Sequence, residues 1–283
     1  MTEHALVRHG KLLWLAFSLT LSALAPASPS SVYLEELTSP EVQALVAAGT
    51  RTVLIPIGGT EQNGPHMVLG KHNERARILA GKIARTLGDA LVAPVIAYVP
   101  EGAVEPPRAH MRFAGTISVP DQAFEAVLDG AARSFKEHGF RHVVFLGDHG
   151  GYQKLETRVA DRLNRLWADD PTCRVLALTA YYQAAQQPFA ADLEARGFTQ
   201  AQIGTHAGLA DTALALAVDP ALVRPDQQAA ARPGTAGISG DPRPATAALG
   251  QLGVERIVRA SVDAIRKFTG AEAGPSGLKE QRR

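Results

Sequence analysis

The sequence predicts an α/β domain built on a mainly parallel sheet, and three observations carry that expectation. Segments of helical periodicity alternate with short apolar runs, the pattern of repeated strand–helix–strand units. Two of these runs, residues 53–57 and 143–146, are apolar at nearly every position, as in strands buried on both faces. Each leads straight into a polar, Gly-containing loop, which is where open α/β sheets place their ligand sites.

The elements follow in order. Arg8, His9 and Lys11 precede an apolar run over residues 12–25, which is shorter than the roughly 20 residues of a membrane span. The run ends in Ala25-Pro26-Ala27, an A-x-A pattern, so residues 1–27 are expected to be a cleaved export signal. The mature chain is then expected to be periplasmic or secreted and free of the membrane. Residues 28–270 are expected to form one domain, and residues 271–283 a polar, mobile tail. Ser39 as N-cap and Pro40 at the first helical position start a helix that Gly49 ends. A strand over 52–57 is followed by a loop and then a helix over 74–87, with Ile78, Leu79, Ile83 and Leu87 on one face. A strand over 91–99, a long loop over 100–114 and a short strand over 115–119 come next. Asp121 opens a helix closed by Gly139. A strand over 142–146, a helix over 153–167 and a strand over 174–179 follow. Residues 182–204 read as helix broken at Gly197, and a further helix runs from His206 to Ala217. Residues 219–244 read as loop, and 246–268 as a helix interrupted near Gly250 and Gly253.

Composition removes several classes of function. With 29 basic and 28 acidic side chains in 283 residues, the net charge of +1 argues against a nucleic-acid binder. The single cysteine, Cys173, excludes an intrachain disulfide or a CxxC metal site and is expected to be a buried thiol. No Gly-Lys-Ser/Thr follows either Gly-rich loop, and there is no Gly-x-Ser-x-Gly elbow. What remains is three strand-to-helix junctions, each bearing groups able to bind a metal. The first offers Glu61, Asn63, His66 and His72, the second Asp148 and His149, and the third His206 and Asp211. Imidazoles with carboxylates and no thiolates suit Zn²⁺, Mn²⁺ or Fe²⁺. Such a centre activates water and polarises a carbonyl.

These junctions also carry a family resemblance. Gly58-Gly59-Thr60-Glu61-Gln62-Asn63-Gly64-Pro65-His66 resembles the signature G-S-x-E-Q-H-G-P-H of the creatininase (creatinine amidohydrolase) family. In the family's order there follow Ala109-His110-Met111-Arg112-Phe113-Ala114-Gly115-Thr116-Ile117-Ser118, then Gly147-Asp148-His149-Gly150-Gly151-Tyr152 and His206-Ala207-Gly208-Leu209-Ala210-Asp211-Thr212. Gly240-Asp241-Pro242-Arg243-Pro244-Ala245-Thr246-Ala247 completes the set. The resemblance implies a three-layer α/β/α fold, a homo-oligomer (often a hexamer) and a metal-dependent hydrolase acting on non-peptide C–N bonds of cyclic or linear amides. The family's two-metal members draw their ligands from the first and third motifs.

The chain departs from that pattern at several positions. Asn63 stands where the family has His, His72 where it has a bridging Asp, and Asp211 where it has Glu. An imidazole lone pair binds one metal and cannot bridge two. The expectation is therefore one divalent ion held by Glu61, His72, His149 and Asp211, with Glu61 also part of the catalytic machinery. His206 is the candidate proton donor to the leaving nitrogen, and Asn63, His110 and Tyr152 are candidates for substrate contact. Asp148 is expected either to orient its loop or to accept a proton from a ligand imidazole, and His66 to be structural. Only two tryptophans, Trp14 and Trp167, are present, which argues against an aromatic box around creatinine. The alternative is a non-catalytic relative that binds a metal or ligand.

Overall fold

A computed structural model of the chain describes residues 31–170 and 172–270; the expected signal at 1–27 and tail at 271–283 lie outside the described residues. Four strands, β1 (Thr52–Ile57), β2 (Ala90–Val92), β3 (His142–Gly147) and β4 (Arg174–Ala177), form a wholly parallel sheet in the order β2-β1-β3-β4. The α-helices are α1 (Ser39–Ala48), α2 (Lys71–Leu87), α3 (Asp121–Glu137), α4 (Gln153–Leu166), α5 (Thr179–Glu194), α6 (Gln200–Ile203), α7 (Leu209–Val218), α8 (Pro225–Ala230) and α9 (Ala247–Thr269). Alternate residues of the strands enter opposite cores. Leu54, Val144 and Leu146 pack under α2, α5, α7 and α9, whereas Val53, Ile55, Val143 and Phe145 pack under α1, α3 and α4. These are three layers, as the apolar runs require.

The topology fixes where a ligand can bind. From β1 the chain reaches β2 through α2 on one face of the sheet; from β2 it reaches β3 through α3 on the other. Adjacent β1 and β3 therefore send their following loops apart, and a crevice opens at their carboxyl ends. Residues 58–70 and 148–152 line it.

Several local expectations are corrected. The strand over 91–99 shortens to β2, because Pro94 has no N–H to give a ladder. Contact with β1 resumes beyond it, where Ile96 N donates to Pro56 O at 3.0 Å. Residues 115–119 form no strand; Ile117 N and Val119 N instead bond Thr60 O and Val99 O. The first helix is capped by Thr38, whose N and Oγ1 both donate to Glu41 Oε2, at 2.6 and 2.7 Å. Helix α2 starts at Lys71, not 74, because its first turn points polar side chains into the crevice and so lacks an apolar stripe. The stretch over 182–204 divides into α5 and α6, and the loop over 219–244 contains α8. The helix after His206 begins only at Leu209.

Helix α9 runs without interruption through Gly250 and Gly253. These glycines serve close packing. A Cβ at Gly250 would lie 1.8 Å from Ala213 O in α7, a backbone atom that has no freedom to yield. Gly250→Ala tests this contact, since Ala in an unhindered helix interior stabilises by about 1 kcal/mol. Here the clash is expected to win, lowering the thermal midpoint by a few degrees or more. An unchanged or raised midpoint in a circular-dichroism melt would contradict the contact.

Candidate functional site

Glu61 lies in the loop after β1 with its side chain fully buried. Its Oε1 is 2.8 Å from His72 Nε2, and the other ring nitrogen of His72, Nδ1, is 2.6 Å from Asp148 Oδ2. A carboxylate oxygen only accepts, so both contacts are hydrogen bonds when both nitrogens donate. Burial pushes the Glu61 carboxyl up, but the His72 hydrogen bond and charge, with Lys71 further off, outweigh it and hold the group well below the carboxylate range.

The first turns of α2 supply cations to the neighbouring carboxylates. Arg75 Nε donates to Asp148 Oδ2 at 2.8 Å and Nη1 to Asp211 Oδ1 at 2.8 Å. Lys71 Nζ donates to Asp211 Oδ2, which also accepts from Ala207 N at 2.9 Å. Tyr181 Oη donates to Asp148 at 2.6 Å. Burial raises both aspartates, yet Arg75 beside Asp148, and Lys71 with Arg75 beside Asp211, hold them below the usual range. Both carboxylates are thus matched by permanent internal cations.

The far side of Glu61 differs. His110 Nδ1 is 3.0 Å and His149 Nε2 4.0 Å from Oε2, but neither is aimed to donate. This buried oxygen therefore has no hydrogen-bond partner. One donor atom each from Glu61, His110 and His149 lies within 4.8 Å of the others. A carboxylate oxygen and two imidazole nitrogens this close together are donors of the kind that suit a Zn²⁺, Mn²⁺ or Fe²⁺ ion. The orphaned oxygen is the observation that supports this fit, because a cation would supply the partner it lacks. Burial, together with the charges of His72 and Lys71, pushes the His149 imidazole down to about 3, so it is neutral and able to ligate.

His206 completes the ring around Glu61, with Nδ1 3.8 Å from Oε1 and Nε2 2.9 Å from Gln62 O. Burial lowers its proton affinity as well. The Gln62 amide is oriented by Gly64 N, which donates to its Oε1 at 3.0 Å; its Nε2 then lies 3.2 Å from His110 Nδ1 and 3.1 Å from His206 Nε2. Ala109 and Ala207, which adjoin these two histidines, hold φ of 50° and 54°. That left-handed backbone is costly for alanine and is often retained at functional sites. Beside the cluster opens a cleft of about 590 Å³ bordered by His149, His206, Tyr182, Gln186, Gln187 and Gln200.

Of the four ligands expected from the sequence, Glu61 and His149 face one point. His72 has both nitrogens on carboxylates, and Asp211 is turned to Lys71 and Arg75; His110, expected to touch substrate, stands in the donor set. Tyr152 is fully buried and donates to Ile57 O and Gly58 O at 2.9 and 2.6 Å, a loop-holding role rather than a cleft contact. Asn63 is buried too and donates to Glu61 O at 3.0 Å. Asp148 accepts from His72, and His66 Nε2 meets Thr212 Oγ1 at 2.9 Å. Sequence reasoning passed over Lys71, Arg75, Gln62 and Glu101. For Glu101 a signal existed, namely the unusual length of the loop it opens.

The chain is similar to known proteins in sequence and in fold. A family model described as "Creatinine amidohydrolase" matches residues 35–265. The chain is 38% identical over 104 residues to the mycofactocin precursor peptide peptidase of Mycolicibacterium smegmatis, a match covering 35% of this chain and 39% of that protein. The protein of the same description from Mycobacterium tuberculosis is 29% identical over 255 residues, covering 80% of this chain and 88% of that one. A solved mutant creatininase described as "Zn-Zn type" superposes with a TM-score of 0.70 at 26% identity, covering 85% of this chain and 99% of that one.

The buried histidines make stability pH-dependent. Burial lowers His66 from the ordinary histidine value to about 4. Below pH ~6.5 the unfolded chain therefore binds a proton that the folded chain refuses until about pH 4, so this contribution to stability is present above 6.5 and lost as pH falls towards 4. Between pH 7 and 4.5, His66→Gln is expected to lose about 2 kcal/mol less unfolding free energy than the wild type in urea titrations. Equal losses in the two proteins would contradict the assignment.

Proposed function

The chain belongs to the creatininase family, and from that membership we propose that it is a metal-dependent amidohydrolase with one divalent ion held by Glu61, His110 and His149. When bound, such an ion supplies an activated water and polarises the amide carbonyl. The observation that carries the proposal is the buried Glu61 Oε2, without a donor, facing two imidazole nitrogens. The chain's own residues divide the remaining work. Glu61 and His149 provide a carboxylate and a neutral imidazole from the loops that follow β1 and β3. The Gln62 carbonyl, 2.9 Å from His206 Nε2, holds that ring beside the cluster. His206, at the edge of the cleft, delivers a proton to the leaving nitrogen. Lys71 and Arg75 neutralise Asp211 and Asp148, so these two carboxylates do not compete for the ion.

The substrate in this reading is a linear, peptide-like amide. The cleft, of about 590 Å³, is far larger than a small ring requires. Its border offers the amides of Gln186, Gln187 and Gln200 and the Tyr182 hydroxyl, but no tryptophan. Both mycobacterial relatives are peptide peptidases by description, which supports the same choice.

Chelator-stripped protein supplied with Zn²⁺, Mn²⁺ or Fe²⁺ and a panel of cyclic amides, linear amides and short peptides tests the reading. Metal-stimulated hydrolysis with one ion per chain is expected. Glu61→Gln and His149→Ala should lose both ion and turnover. His206→Ala should keep the ion while kcat falls by roughly 10²–10⁴-fold. Hydrolysis indifferent to metal would contradict the proposal; tight ligand binding without turnover would favour a binding protein.

A further inference from the structure

Glu101 is a buried carboxyl that the site as described leaves without a task. It is 3% exposed, and neither of its oxygens has a hydrogen-bond partner. The fold nonetheless holds it firmly. Its backbone N donates to Ser118 Oγ at 3.0 Å, and the chain opposite is Gly59, at φ 149°, where a Cβ would sit 2.4 Å from Glu101 Oε1. Space for this carboxyl is therefore kept by a residue that only glycine fills without strain. Its Oε2 points at His149 Nδ1, 3.5 Å away.

That direction matters because a neutral imidazole carries one ring proton and two partners compete to place it. Gly151 N lies 3.3 Å from His149 Nδ1 and donates to it. This bond needs the lone pair on Nδ1 and leaves the proton on Nε2, facing Glu61. Glu101 is the opposite kind of partner, an acceptor, and calls for the proton on Nδ1. Only then does Nε2 present a lone pair to the point shared by Glu61 and His110. A carboxyl keeps an accepting oxygen in either protonation state, so the choice of tautomer does not depend on its charge.

We propose that Glu101 is a positioning residue that holds His149 in the cation-binding tautomer by accepting the Nδ1 proton. This rests on the single-ion reading of the site. Ligand imidazoles commonly need such an acceptor, and its loss costs 10–100-fold in metal affinity. The apolar replacement Glu101→Leu has an unusual expected signature. Removing a buried carboxyl that has no partner leaves the metal-free protein as stable as before or more so, while Zn²⁺ affinity falls.

The test is competition of Zn²⁺ between the full-length protein and a chromophoric chelator, with thermal melts of the metal-free forms. Glu101→Leu should bind Zn²⁺ 10–100-fold more weakly with an unchanged or higher melting point, and Glu101→Gln, which keeps an acceptor oxygen, should lose less. Unchanged Zn²⁺ affinity in Glu101→Leu would overturn the proposal. So would a Gln variant as weak as the Leu variant, or a Leu variant whose melting point falls along with its affinity. A wild-type protein that binds no Zn²⁺, Mn²⁺ or Fe²⁺ would instead bring down the single-ion reading itself.

Discussion

A carboxylate that stays ionised when buried needs counter-charge, and the way this chain supplies it to Asp148, Asp211 and Glu61 organises the crevice. Asp148 and Asp211 have theirs built in: Arg75 bridges the two, and Lys71 adds a second charge to Asp211. Glu61 has no Lys or Arg in direct contact and is ringed by the imidazoles of His72, His110, His149 and His206. Removing one member of a buried ion pair costs about 3–5 kcal/mol, so Lys71 and Arg75 are held in place by their partners as strongly as they hold them. The asymmetry localises the cation site. An incoming ion gains most where negative charge lacks a fixed counter-charge, which is beside Glu61.

The fold makes that distribution possible. Parallel β1 and β3 stay paired to their last residues, and the loops that follow them bring Glu61 and His149 to one crevice. Helix α2 starts in the same place, and its first two turns carry Lys71, His72 and Arg75 inward. His110 and His206 come from loops whose backbones take the left-handed conformation at Ala109 and Ala207. The core on each face of the sheet is apolar and continuous, so the charged groups are confined to the sheet's end, where a cleft gives access. Among the described residues, no helix is long and apolar enough to cross a membrane.

Much of this was legible in the sequence, for reasons that also explain what was not. Strands β1 and β3 declared themselves because burial on both faces permits only apolar residues. The three polar junctions and their family motifs pointed to one place, and the structure brings Glu61, His149 and His206 of those motifs together. Patterns of side-chain type do not, however, say which charges meet. Asp211 reads as a ligand from its place in the third junction; the structure sets it against Lys71, which lies just before the expected helix, and Arg75, which lies in its first turn. Their helical spacing became visible only once α2 was seen to start at Lys71. Gly250 looked like a helix break because its true partner, the Ala213 carbonyl, is distant in sequence. For Glu101 the length of its loop hinted at function, but that loop's Pro and Gly content did not say which of its side chains is buried.

The central claim is that the fixed cations of α2 reserve one place for one ion, and anomalous diffraction from Mn²⁺-loaded crystals addresses it most directly. The account predicts a single peak within bonding reach of Glu61, His110 and His149, with Asp211 still paired to Lys71 and Arg75. Two peaks, or one peak on His72 and Asp211 with Lys71 displaced, would contradict it.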